Sequence, residues 1–161
     1  MIKSDKAMAQ SGSADRGLGL SHQTQARAFA ERLIRGHEGV ARYPYVDTVG
    51  KITIGVGRNL SDRGLSVEEI NLLFETDMKI AEGILAIWLP DWHLLSFKRQ
   101  AALLSMAFNL GGPRLSQFVK LRGALLAKDY QRAAKEALNS RWASQVGARA
   151  NEIAALIEED E

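Results

Sequence analysis

At Glu38–Gly39 the sequence changes period. Upstream, Phe29, Leu33, Ile34 and His37 fall on one stripe of a helix that opens at His22, with Ser21 as its N-cap and Gly39 as its stop. Downstream, Ile52, Ile54 and Val56 alternate with Thr53, Gly55 and Gly57, the period of a half-buried strand. The stretch HEGVARYPYVDTVGKITIGVG, residues 37–57, therefore follows a helix end directly with a β-hairpin. The partner strand is expected over residues 43–47, with Val49, Gly50 and Lys51 as the turn. A turn centred on Gly50 pairs residues whose numbers sum to 100, which places Asp47 opposite Thr53 on one face. Gly55 and Gly57 leave that face bare of side chains, as expected of a surface that a ligand approaches closely.

Beyond the hairpin the pattern is helical. Ser66 and Glu69 form a capping-box signature opening a helix that turns Ile70, Leu73, Phe74, Ala81, Ile84 and Leu85 inward and ends before Pro90. Asp77 falls on the same apolar stripe, where a carboxylate needs a cationic or hydrogen-bonding partner. The run AALLSMAFNLGG, residues 101–112, is apolar nearly all round and stops at Gly111, Gly112 and Pro113, as a central buried helix would. Further helices are expected at about 115–127, 130–139 and 148–158. Trp88 and Trp142, at helical spacing, are read as core, and the role of Trp92 stays open. The fold class is α+β, mainly helical, with a small antiparallel hairpin lobe over about residues 39–65 and a larger helical lobe over about 66–158. Residues 1–21 are small, polar and aperiodic and read as a mobile arm before one domain over 22–161.

Composition narrows the chemistry. The chain has no cysteine, which excludes disulfides and thiolate catalysis, and its three histidines are scattered, so neither a metal nor a cofactor is expected. No N-terminal apolar run resembles a signal peptide, and no stretch approaches the roughly 20 apolar residues of a membrane span. The formal charge is +2, but Glu158, Glu159, Asp160 and Glu161 close the chain, so the other 157 residues carry 21 basic against 15 acidic side chains. Such a basic body is drawn to an anionic polymer; on charge alone nucleic acid, a membrane surface and a bacterial wall all remain open.

Two carboxylates stand in different settings. Glu38 sits in the last turn of a helix, against the negative end of its dipole, which suits it to the acid role; Asp47 on an open hairpin suits the ionised role. Glycoside hydrolysis needs such a pair, one group to protonate the leaving oxygen and one to activate water or attack the sugar. Thr53 beside Asp47 would hold the water. Spacing alone also fits a surface Glu, a turn-forming Asp and an ordinary strand Thr.

The ordered set HEG, DTVGKITIGVG, MAFNLG (106–111) and SRW (140–142), with the helix around Arg149 following, resembles the phage-type lysozymes of glycoside hydrolase family 24 over about residues 25–157. The resemblance implies a lysozyme-like fold with its cleft between the lobes and a muramidase that cuts the β-1,4 bond between N-acetylmuramic acid and N-acetylglucosamine. It implies Glu38 as the acid, Asp47 and Thr53 managing water, Phe108, Gly55 and Gly57 along the glycan, and Arg149 approaching Glu38. Peptidoglycan is then the partner, not nucleic acid, and a monomer is expected, made in the host cytoplasm without stable membrane insertion and reaching the wall after a holin-type protein opens the membrane. Members usually carry His where Arg58 stands, and the matching partner position is Asp77; a cation opposite an anion is kept, and Arg58 and Asp77 are expected to pair. A non-catalytic wall-binding module and a lytic transglycosylase are the rival functions on the same fold.

Overall fold

The change of period at Glu38 is a helix end in the structure. Helix α1 (His22–Glu38) opens on Ser21, whose hydroxyl accepts from the Thr24 N–H at 3.2 Å. It closes on Gly39 at φ +71°, a left-handed conformation that disfavours a side chain, with the Gly39 N–H on the Arg35 carbonyl. The computed structural model describes residues 21–159, so the expected arm, Ser21 apart, lies outside the described residues. The chain divides between Gly64 and Leu65 into two compact units.

The first unit holds α1 and a three-stranded antiparallel sheet, β1 (Ala41–Val46), β2 (Ile52–Gly55) and β3 (Arg58–Asn59), in that spatial order, followed by the short helix α2 (Leu60–Arg63). Its register differs from the expected one. Tyr45, not Asp47, stands opposite Thr53, and Val46 stands opposite Ile52. The cause is the loop. The Gly50 N–H closes a turn onto the Asp47 carbonyl at 3.0 Å, Gly50 takes φ +81°, and the Asp47 N–H bonds to the Lys51 carbonyl at 2.9 Å. That is a three-residue hairpin loop, Thr48 to Gly50, ending in a left-handed glycine, so Lys51 belongs to the ladder and not to the turn. The register shifts again between Ala41 and Tyr45, a stretch containing Pro44 on an edge strand, where a missing N–H is tolerated.

The alternation through Val56 and Gly57 is also cut short. Gly55 and Gly57 lie at φ +67° and +68°, so they turn the chain back into β3, where Arg58 pairs with Ile54 and Asn59 with Thr53. Between the hairpin and Ser66 lie β3 and α2, the latter capped by the Asn59 side chain accepting from the Asp62 N–H at 2.9 Å.

The second unit is helical. Helix α3 (Val67–Trp88) opens with the predicted capping box: Ser66 Oγ accepts from the Glu69 N–H at 3.3 Å and the Glu69 carboxylate accepts from the Ser66 N–H at 2.8 Å. Ala81, Leu85 and Trp88 are buried and Ile84 packs on the core, whereas Ile70, Leu73 and Phe74, expected inward, are half exposed. A 22-residue helix is about 33 Å long, and its first half runs past the buried cluster of the helical unit. Helix α4 (Phe97–Leu115) is the predicted central helix; its ladder breaks at Gly111, with φ +67° and ψ 167°, and one more turn through Pro113 reaches Leu115. After it come α5 (Val119–Leu126), α6 (Tyr130–Leu138), α7 (Arg141–Val146) and α8 (Ala148–Glu158), of which α7 was not anticipated as a separate helix.

Leu85, Leu103, Met106, Leu115, Leu121 and Ile157 are fully buried at the centre. Trp88 and Trp142 belong to this core, and Trp92, in a 3-10 turn over Trp92–Leu94, packs at its margin. Arg99 is buried there too. Its Nε donates to the Ile157 carbonyl at 2.9 Å, its Nη2 to the Glu159 carbonyl at 2.6 Å, and its guanidinium carbon lies 3.6 Å from the Tyr130 ring centroid. It thereby satisfies carbonyls at the end of α8 that have no helical partner. The architecture is α+β and mainly helical, and no helix among the described residues is long and apolar enough to cross a membrane.

Candidate active site

Asp47 and Thr53 meet, by a route other than the one expected. Asp47 stands at the mouth of the hairpin loop and its carboxylate folds back over it. Oδ1 accepts from the N–H of Lys51 at 2.8 Å and of Val49 at 3.0 Å, and Oδ2 accepts from the Thr53 hydroxyl at 3.2 Å. The bond to Thr53 thus spans two rungs of the hairpin, with Thr53 buried on the middle strand. The Lys51 N–H foremost holds the Asp47 carboxyl below its ordinary range; desolvation, the next largest effect, opposes it, and the Val49 N–H, the Thr53 hydroxyl and the Lys51 charge each add to the lowering.

The sign follows directly. A depressed folded-state pKa stabilises the fold above the unfolded value, near 3.9, and that contribution is lost as pH falls through the folded value. We expect a carboxyl-carbon NMR titration of Asp47 to show a midpoint below 3.8, with the loop amides of Val49 and Lys51 shifting in the same step. A midpoint at or above that value would contradict the hydrogen-bonded geometry.

Glu38 is the last residue of α1 and exposed in the structure. Its side chain lies against Gly57: a Cβ built on Gly57 would stand 2.8 Å from Glu38 Oε2 and 3.2 Å from its carboxyl carbon. The left-handed glycine therefore leaves the space that the Glu38 carboxylate fills. Gly55, by contrast, faces open space where a Cβ would stand. Arg58 places Nη1 on the Gly64 carbonyl at 3.2 Å, within the same unit.

In the helical unit Asp77 and Phe108 line one cavity of about 290 Å³ with Ile80, Ala81, Ile84 and Gly111, and the Phe74 and Phe108 rings are 5.7 Å apart. Arg149, in the first turn of α8, donates from Nη2 to Ser105 Oγ at 2.9 Å. A groove of about 700 Å³ in this unit lies elsewhere, against Phe118 and Trp142, and is lined by none of Asp77, Phe108 and Arg149.

Two carboxylates in contrasting settings, a threonine hydroxyl on one of them and a glycine shaped around the other lie within 20 residues of chain. Residues 35–158 match the family model for phage lysozyme. The chain belongs to the phage lysozyme family. Among relatives, the pre-baseplate central spike protein Gp5 of Enterobacteria phage T4 is 26% identical over 153 residues, 78% of this chain but 27% of the spike protein. A probable T4-type lysozyme 2 of Dictyostelium discoideum is 24% identical over 155 residues, 78% of this chain and 91% of that protein. The chain thus spans about a quarter of one relative and nearly all of the other.

Sequence reasoning missed Ser105, and it missed that the backbone N–H groups of Val49 and Lys51 bind Asp47. The first left a signal, a hydroxyl in the middle of the otherwise apolar run 101–108. The second left only the residue type, since Asp is the side chain that most readily hydrogen-bonds the backbone of its own turn.

Proposed function

We propose that this chain is an endolysin-type muramidase that hydrolyses the β-1,4 bond between N-acetylmuramic acid and N-acetylglucosamine, with inversion. Glu38 gives its proton to the leaving glycosidic oxygen, a water attacks the anomeric carbon from the opposite face, and Asp47 takes the proton that the water loses. The observation that carries the reading is the Asp47 carboxylate, kept ionised by two backbone N–H groups and a hydroxyl in the same unit as Glu38. Thr53 spends its hydroxyl proton on Asp47 Oδ2, so its remaining lone pairs are acceptors for a water proton. Phe108, Gly55 and Gly57 are the proposed glycan contacts, Arg149 the assisting cation, and Arg58 and Asp77 supporting residues. The biological setting proposed with it is lysis of a host cell from within, after a holin-type protein has opened the membrane.

Rapid proton NMR of a freshly cleaved glycan oligomer, read before mutarotation, is expected to show the α anomer first, and mass spectrometry of released muropeptides should show reducing muramic ends. The β anomer first would make Asp47 a nucleophile and the mechanism retaining. Products ending in an anhydro-muramic ring would replace hydrolysis by transglycosylation, and a wall-bound protein that releases nothing would be a binding module.

A further inference from the structure

Ser105 is an unexpected residue for its place. It lies in the middle of α4, next to the fully buried Met106, in a run of otherwise apolar side chains. A mid-helix serine commonly turns its hydroxyl back onto the carbonyl one turn earlier. The Ser105 oxygen instead accepts from Arg149 Nη2 on α8, at 2.9 Å. Arg149 is unexpected in a complementary way. It stands in the first turn of α8, which has no acidic residue and no side-chain N-cap, so its cation adds to the positive end of the helix dipole. Nothing in that placement favours the arginine electrostatically, yet its exposed side chain is tied down. The tie is a neutral hydroxyl. A carboxylate at the same position would hold the guanidinium equally well but cancel its charge, whereas a hydroxyl fixes direction and leaves the charge, with the other N–H donors, available to a ligand.

We infer that Ser105 is a positioning residue, which holds the Arg149 guanidinium in one orientation without neutralising it. The inference rests on the muramidase reading, in which Arg149 is the assisting cation. Orientation of such a group matters because small misplacements of a charge at a reacting centre cost large factors in rate.

The test is steady-state turnover of purified peptidoglycan fragments, with thermal melts alongside, for wild type, Ser105→Ala, Ser105→Thr, Ser105→Asp, Arg149→Ala and the double variant Ser105→Ala/Arg149→Ala. We expect Ser105→Ala to lower kcat about five- to tenfold with KM little changed, and Ser105→Thr, which keeps the hydroxyl, to restore most of it. Ser105→Asp should be as slow as Arg149→Ala despite keeping the bond. In the Arg149→Ala background Ser105→Ala should cost nothing further, which a general loss of packing would not produce. Wild-type kcat for Ser105→Ala beside an impaired Arg149→Ala would overturn the inference alone, as would an undiminished second loss in the double variant. An active wild type with a fully active Arg149→Ala would remove the role of both residues, and no turnover by wild type would overturn the muramidase reading itself.

Discussion

Glu38→Gln is expected to abolish wall clearing while leaving the fold intact. The amide nearly matches the carboxyl in shape, so it fits the space beside Gly57 that the carboxylate now fills. It also sits at the exposed end of α1, where surface substitutions move stability by about 0.5 kcal/mol or less. If anything α1 gains slightly, since a neutral group at its C-terminus no longer faces the negative end of the dipole. The amide has no proton of suitable acidity to give to the leaving oxygen, and loss of one general acid costs about 100-fold or more. Muropeptide release measured beside a thermal melt separates the two effects. Turnover within a few fold of wild type would exclude Glu38 from the mechanism.

What could be foreseen divides by the range of the signals. The bounds of α1 and the capping box at Ser66 rest on groups three or four residues apart, and the structure has them where the sequence placed them. The hairpin register does not rest on such signals. A glycine with φ above zero can occupy the centre of a turn or its last position, and the one-residue difference between these sets every cross-strand pair. Here the Asp47 carboxylate decides it, by binding the Val49 and Lys51 N–H groups and fixing a loop that ends at Gly50. The same blindness affected Gly55 and Gly57. An apolar residue between two glycines satisfies strand alternation, and only the backbone dihedrals distinguish a strand edge from a turn. Helix α7 is six residues long, too short for a helical period to show. At the site, the residue types Glu, Asp and Thr were legible as a chemistry, whereas the hydrogen bond from Thr53 to Asp47 joins residues that are not cross-strand partners and follows only once the loop is closed.

Gly57→Ala should lose much more turnover than its cost in stability explains. Gly57 lies at φ +68°, where a side chain costs about 1–2 kcal/mol, so some destabilisation is inevitable. The new Cβ would stand 2.8 Å from Glu38 Oε2, closer than non-bonded atoms come, with the carboxyl carbon at 3.2 Å and Cγ at 3.4 Å. Those atoms belong to the outer part of an exposed side chain, so the clash is relieved by rotating Glu38 away and adds little to the folding cost. For catalysis the same rotation is damaging, because a displacement of about 1 Å at a reacting group can cost about 100-fold. Gly64→Ala supplies the comparison: Gly64 is in the same unit at φ +59°, with no atom within 4 Å of an added Cβ. It carries positive-φ backbone strain of its own, at ψ −150°, without touching Glu38, and should melt early while keeping turnover near wild type where it is folded. Gly57→Ala is then expected about 10- to 100-fold below Gly64→Ala at a temperature where both are folded. Equal turnover by the two variants would mean that the position of the Glu38 carboxyl against Gly57 has no part in catalysis.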